Sequence, residues 1–418
     1  MSADNAPKEY TTQAWLAIFG AFTSFFCTVG FLNSFGVFEQ YYAADQLSGT
    51  PQSTIAWLAA IALFFLFSIS VISGAMLDMF GPKIMTYVGS IGTVFAIMMT
   101  SLCKEFYQFL LAQGVLLGIS MSLVTWPTLA LVGQYIKKKR AAAMGIVLGG
   151  SSLGGVIWPI AIDQLLKNPR IGFPWTMRIV GFIMIPLLSF TCIVCRSPPT
   201  VPATPEDVSN NATVQEKKVD RRAEAMTLFR KPSLQLLCLA MFFIYFGMFA
   251  PFFFTTSYAV KKGFSTSLAF YTVSIVNGTS FFGRVLPGIV ADRLGKFNCC
   301  IISTIFAGII ALCWSTVDSV AGLVIWSAAY GFGSGGILSL QQACAAQVAT
   351  PSTLGLAIGS VSGATALSAM ASVPISGALA EKHGYLSLSL YSGISMLCGA
   401  VLLTMARMVQ DRRLAAVV

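Results

Sequence analysis

The sequence predicts an all-α membrane protein with twelve transmembrane helices in two six-helix bundles. Hydrophobic residues make up 56% of the 418-residue chain and charged residues only 10%, against roughly 25% charged in an ordinary soluble domain. Apolar runs recur along the chain, each long enough to cross a hydrocarbon core of about 30 Å at about 1.5 Å per residue. A short glycine and aspartate turn occurs twice, at matching places in the two halves.

The first run, Trp15–Phe38, follows a polar opening and has neither the length nor the cleavage pattern of a signal peptide, so it reads as an uncleaved span. Ile55–Leu77, Ile84–Cys103, Phe106–Val132, Ala141–Ile162 and Trp175–Cys195 complete a first set of six. Residues 196–232 are rich in Pro, Glu, Lys and Arg, too polar to bury, and read as a flexible linker. Ser233–Tyr258, Leu268–Val290, Cys299–Thr316, Val320–Val348, Leu354–Ala380 and Leu386–Met408 form the second set. The expected organisation is a bundle over 1–195, a linker over 196–232 and a bundle over 233–418.

The net charge of +10 has a topological reading. With the N-terminus inside, alternate loops collect Lys83, then Lys137, Lys138, Lys139 and Arg140, then the linker, then Arg293 and Lys296, then Arg407, Arg412 and Arg413. This bias predicts cytoplasmic termini and a cytoplasmic linker, and accounts for the basic charge without nucleic acid. The sequon at Asn211 would then stay unmodified. Nine of the ten cysteines lie in or at the ends of apolar runs, which favours packing over disulfides, and the Cys192-to-Cys195 CxxC is a lone one. With His383 the only histidine, neither a His-based triad nor a His-rich metal site can be built. No enzyme, metal or cofactor is expected.

Gly74-x-x-x-Asp78-x-x-Gly81-x-Lys83 follows the second run, and Gly288-x-x-x-Asp292-Arg293-x-Gly295-Lys296 follows the eighth. In each, the first glycine lets helices approach, the carboxylate can cap or pair at a helix end, and the second glycine permits a tight turn. Such a pair can latch one conformation. Met144–Gly149 and Leu354–Gly359 give a second echo between the halves, and duplicated halves around a central site are how many secondary transporters are built. Glycines 145, 149, 150, 154 and 155 are expected to bare one face of the fifth span.

The repeated turns resemble the signature loop of the major facilitator superfamily. Within it, "SFGVFEQYY" (34–42), "QYIKKKRAAAMGIVLGGSSLGGVIWP" (134–159) and "NGTSFFGRVLPGIVADRLGKFN" (277–298) resemble the monocarboxylate porter family, particularly its fungal branch. The resemblance implies two bundles that rock around a central cavity.

Arg284 stands inside the eighth apolar run, where a charge costs at least about 2.5–3.5 kcal/mol and normally faces a partner or a watery cavity. Its guanidinium suits an anion through two parallel hydrogen bonds. The resemblance implies that it binds a substrate carboxylate. One turn earlier, the aspartate of proton-coupled members is Ser280 here, and the first-span lysine of animal members is Asn33. Asn277, Gln341, Gln342, Tyr245, Phe246, Phe253 and Tyr330 complete the candidate cavity groups.

The expected protein is a plasma-membrane carrier for a monocarboxylate or related organic anion, working as a monomer by alternating access in the lipid bilayer. Protons are a candidate co-substrate, with Asp163 and Glu39 the carboxylates nearest the bilayer. Two alternatives stand beside it: an efflux transporter of a fungal secondary metabolite, and a non-transporting sensor.

Overall fold

The computed structural model describes residues 11–197 and 221–413, which are helical with no strand among them. Among the described residues, eleven helices are long and apolar enough to cross a membrane: Thr12–Ala44, Thr54–Phe80, Pro82–Thr100, Phe106–Tyr135, Arg140–Leu166, Gly172–Val194, Pro232–Lys261, Tyr271–Leu294, Val320–Val348, Leu354–Lys382 and Gly384–Gln410. The shorter apolar helix Lys296–Leu312 lies between the eighth and tenth of twelve. The spans are numbered in this order below.

Several spans are longer than the apolar runs and are broken along their length. The first bends at Thr28, whose hydroxyl donates back to the Ser24 carbonyl at 2.6 Å, and again at Asn33–Ser34. Serine and threonine side chains that bond backward bend helices in this way. The second and eleventh are interrupted at Ile69 and Thr365. The fourth opens on a capping box, with the Gln108 side chain accepting from the Glu105 amide at 3.2 Å, then passes through a π-helical stretch, Leu110–Leu116.

Part of the expected linker is ordered. Arg221–Phe229 forms a short helix, with Glu224 accepting from Ser352 at 2.6 Å, and Pro232 opens the seventh span at the first helical position. That position suits proline because its missing N–H would find no partner inside the helix anyway. Asn211 and the rest of 198–220 lie outside the described residues.

The two halves meet along two main seams: the fifth span packs against the eighth, and the second against the eleventh. Both seams run to the end of the bundle where the repeated turns lie, here called the turn end.

Candidate functional site

At the turn end, Gly81 and Gly295 have φ of 76° and 99°, the left-handed region in which glycine carries no Cβ penalty. Each glycine stops its helix and brings the preceding aspartate to the opposite half. Asp78 accepts from the Gly355 and Leu356 amides at 3.0 and 2.8 Å. Asp292 accepts from the Ala141 and Ala142 amides at 3.1 and 3.0 Å. Each carboxylate thus caps the first turn of a helix in the other bundle, where free N–H groups and the helix dipole both favour negative charge. Gly74 faces the Gly355 carbonyl and Gly288 the Ala141 carbonyl, with no room for a Cβ at either. Lys83 and Arg293 are exposed, and Lys296 is half-buried.

These contacts correct the register of the internal repeat. The offset that relates Asp78 to Asp292 and Gly74 to Gly288 also relates Gly359 to Gly145 and Gly355 to Ala141. The pairing of Met144–Gly149 with Leu354–Gly359 is therefore one helical turn out. Packing confirms the shift, because a Cβ on Gly145 would meet the Arg284 carbonyl and one on Gly359 the Ser70 carbonyl.

The fifth-span glycines also divide between two faces instead of sharing one. Gly145 and Gly149 admit the eighth span, Gly150 and Gly154 lie against the first, at the Phe22 and Phe26 carbonyls, and Gly155 lies between Asn33 of the first and Asn277 of the eighth. The four-residue steps from Gly145 to Gly149 and from Gly150 to Gly154 keep each pair on its own face.

Two turns in from Asp292, Arg284 lies on the fifth–eighth seam and is only 4% exposed. It donates to the Leu148 carbonyl at 2.5 Å and to the Ser151 hydroxyl, while its Nε has no partner among the described residues. Ser151 continues the polar line, its carbonyl accepting from Asn33 at 3.4 Å. Asn33 also donates to Asn277 at 3.3 Å, joining the first and eighth spans. Ser280, between Asn277 and Arg284, packs on Gly335, and its buried hydroxyl has no partner among the described residues.

Gln341 of the tenth span donates to the Tyr245 hydroxyl of the seventh at 2.5 Å, and both side chains are buried. The Tyr245 ring meets Phe67 of the other half edge-on at 5.7 Å, and Phe67 packs on Trp126 at 5.7 Å. Tyr245 also lies within the field of the Arg284 guanidinium. Asn33, Asn277, Ser280 and Arg284 therefore form one strip along the seam, and Tyr245 with Gln341 forms a neighbouring pair.

The remaining candidates sit elsewhere. Tyr330 stacks on Trp326 at 5.3 Å and donates to the Met248 carbonyl at 2.6 Å, inside the second half. Gln342 donates to Ser362 at 3.1 Å, Phe246 stacks on Phe242 and Phe253 packs at a tilt against Phe249, both within their own span. Asp163 is paired with Lys167 at 2.6 Å, one turn away on the same helix. Sequence reasoning missed Ser70, Ser151 and Phe67, although the correct repeat offset would have singled out Ser70.

The profile described as "Major Facilitator Superfamily" matches residues 14–326. The chain belongs to that superfamily. As a major facilitator it is a membrane transporter of small molecules. It is 42% identical over 97% of its length to an MFS-type transporter of Aspergillus fumigatus, covering 95% of that protein. It is 41% identical over 96% of its length to the agnestins efflux protein of Paecilomyces divaricatus, covering 88% of it. It is 39% identical over 95% of its length to the aspyridones efflux protein of Emericella nidulans, covering 78% of it. The structure of the human organic anion transporter MFSD10 superposes with a TM-score of 0.68 at 15% identity, over 94% of this chain and 100% of that one, a likeness of fold. The finer resemblance to the monocarboxylate porters finds no counterpart among these names.

Proposed function

We propose that this major facilitator exports an acidic secondary metabolite across the plasma membrane by alternating access, with the turn end and both termini on the cytoplasmic side. The observation that carries the reading is Arg284, a buried cation on the seam between two halves, bonded to a carbonyl and a hydroxyl with no carboxylate among those bonds. When the halves part at this seam, the guanidinium loses Leu148 and Ser151 and takes an anion in their place. An ionised buried group is strongly stabilised by a counter-charge, so the exchange draws an acidic substrate into the open state.

Efflux takes precedence over uptake of a simple monocarboxylate. Two relatives matching over nearly the whole chain are named as efflux proteins. Ser280 stands where the resemblance places the aspartate of proton-coupled members, which weakens the case for lactate-type symport.

Uptake of a fluorescent aromatic acid into inside-out proteoliposomes, supplied from outside with and without a pH gradient, tests the reading. Transport toward the face opposite the turns is expected, and Arg284→Lys should remove most of it although charge is retained, because lysine lacks the bidentate fork. Undiminished transport by Arg284→Lys would sink the anion-binding role.

A further inference from the structure

We infer that Tyr245 and Gln341 form a second recognition point of the same site, one that selects acidic substrates also carrying an O–H or N–H donor. The inference rests on the anion-binding reading of Arg284 and adds the substrate class.

A glutamine amide has two N–H donors and one carbonyl acceptor. Gln341 spends a donor on the Tyr245 hydroxyl at 2.5 Å, and its Oε1 has no partner among the described residues although the residue is 2% exposed. Buried amide oxygens are nearly always paired, so one left without a protein partner marks a place where something else donates. Tyr245 accepts the bond from Gln341 and keeps its own proton to donate. The pair therefore presents one acceptor and one donor side by side.

Two unpartnered atoms of the strip lie at a similar depth along the bundle. The eighth and tenth spans run in the same direction, with Gly331 against Val276 and Gly335 against Ser280. One further turn brings Ser339 level with Arg284, and Gln341 follows about half a turn beyond. Arg284 Nε and Ser280 Oγ are buried without a partner among the described residues, as Gln341 Oε1 is. The set reads donor, hydroxyl, acceptor.

A bare carboxylate offers only acceptors. It satisfies Arg284 and Ser280 and leaves Gln341 Oε1 unmet. A phenolic acid, or an enolised cyclic dicarbonyl with a neighbouring N–H or O–H, satisfies all three. Ring-shaped substrates also fit the walls, since Phe67 and Phe249 pack on Tyr245 and Trp126 packs on Phe67. The grouping is no by-product of the duplication. At the repeat offset, the second-span counterparts of Asn277, Ser280 and Arg284 are Leu63, Leu66 and Ser70.

Binding of 6-hydroxy-2-naphthoate and 3-hydroxy-2-naphthoate, and of their methyl ethers, to the purified full chain tests the inference through quenching of intrinsic fluorescence. Methylation removes the donor and keeps the acid and the ring. At least one hydroxy acid should bind about tenfold or more tightly than its ether, as expected of a site built around a hydrogen bond to the ligand. Gln341→Met should bring the hydroxy acid down to the level of the ether, and Tyr245→Phe, which keeps the ring, should narrow the same gap. Arg284→Lys should weaken acid and ether alike and preserve their ratio. Equal binding of each acid and its ether to the unaltered protein overturns the role of the pair while leaving Arg284 untouched. Binding indifferent to Arg284→Lys overturns the anion reading instead.

Discussion

Ser70 and Arg284 occupy the same place in the two halves, each two helical turns before its turn aspartate and each with its backbone against a glycine of the opposite bundle. Ser70 meets Gly359 and donates to its carbonyl at 2.8 Å, while Arg284 meets Gly145 and reaches on to the Leu148 carbonyl. The second–eleventh and fifth–eighth seams are thus one contact made twice, with a small hydroxyl in one copy and a guanidinium in the other. Leucine at Gly145 or Gly359 should hold the halves apart at the turn end. Overpacking of this kind costs about 1–3 kcal/mol, a population shift of about 5- to 150-fold. Spin labels on Lys83→Cys and Arg293→Cys, with the exposed Cys313 and Cys398 replaced by serine, should report a longer distance in either variant. An unchanged distance would mean that the glycines do not control closure.

Removing the turn carboxylates should open the same end by a different route. Each aspartate holds two backbone amides across the seam, and a hydrogen bond to a charged group contributes about 1.5–3 kcal/mol. Asp78→Asn and Asp292→Asn should each lower the closed population in the label-distance measurement, and the double variant should lower it further. Glutamate should not rescue either position, because its longer chain pushes the carboxylate past amides already in contact. If the single variants matched the unaltered protein, the caps would be incidental to closure.

Much of this architecture is legible in the sequence, since span number, the two turns and the buried arginine all follow from apolar run length and from charges set among apolar residues. What the turns do across the molecule is less visible. Gly-x-x-x-Asp-x-x-Gly states that a carboxylate sits at a helix end, and only packing shows that the helix it caps belongs to the other half. The register of the second echo fails for a related reason. Glycines recur every four residues in the fifth and eleventh spans, so a slip of one turn still aligns glycine with glycine, and the choice needs the offset of the two turns carried through or the cross-seam partners Arg284 and Ser70. Tyr330 misleads in the opposite sense: a polar aromatic in a span suggests a cavity wall, but its hydroxyl is bonded to the Met248 carbonyl.

Far from the turn end, an aromatic stack closes the second half and should carry much of its stability. Trp314 stacks on Trp326 at 5.5 Å, Trp326 on Tyr330 at 5.3 Å, and Tyr258 donates to the Val317 carbonyl at 2.7 Å. Trp314 is fully buried. Trp314→Ala should cost about 3–5 kcal/mol and Tyr258→Phe about 1 kcal/mol, read as losses of thermal stability in detergent in that order. Because neither residue touches the seam strip, binding of the naphthoates to the surviving fold should be unchanged.

Ser280→Asp should install a pH dependence that the native strip lacks. Asn33, Ser151, Asn277, Ser280 and Arg284 include no group that titrates near neutrality, so uptake of an acid that stays ionised across pH 5–8 should vary little in the unaltered protein. An aspartate one turn before Arg284 lies on the same helix face and within reach of the guanidinium. Ionised, it occupies the cation and competes with the substrate anion; protonated, it releases it. Transport by Ser280→Asp should therefore be low at neutral pH and recover as the medium is acidified, the direction set by loss of the carboxylate charge. Ser280→Asn, of the same size and uncharged, separates this effect from crowding against Gly335 and should transport at a level independent of pH. A flat profile for Ser280→Asp, or one that falls on acidification, would show that position 280 does not address Arg284.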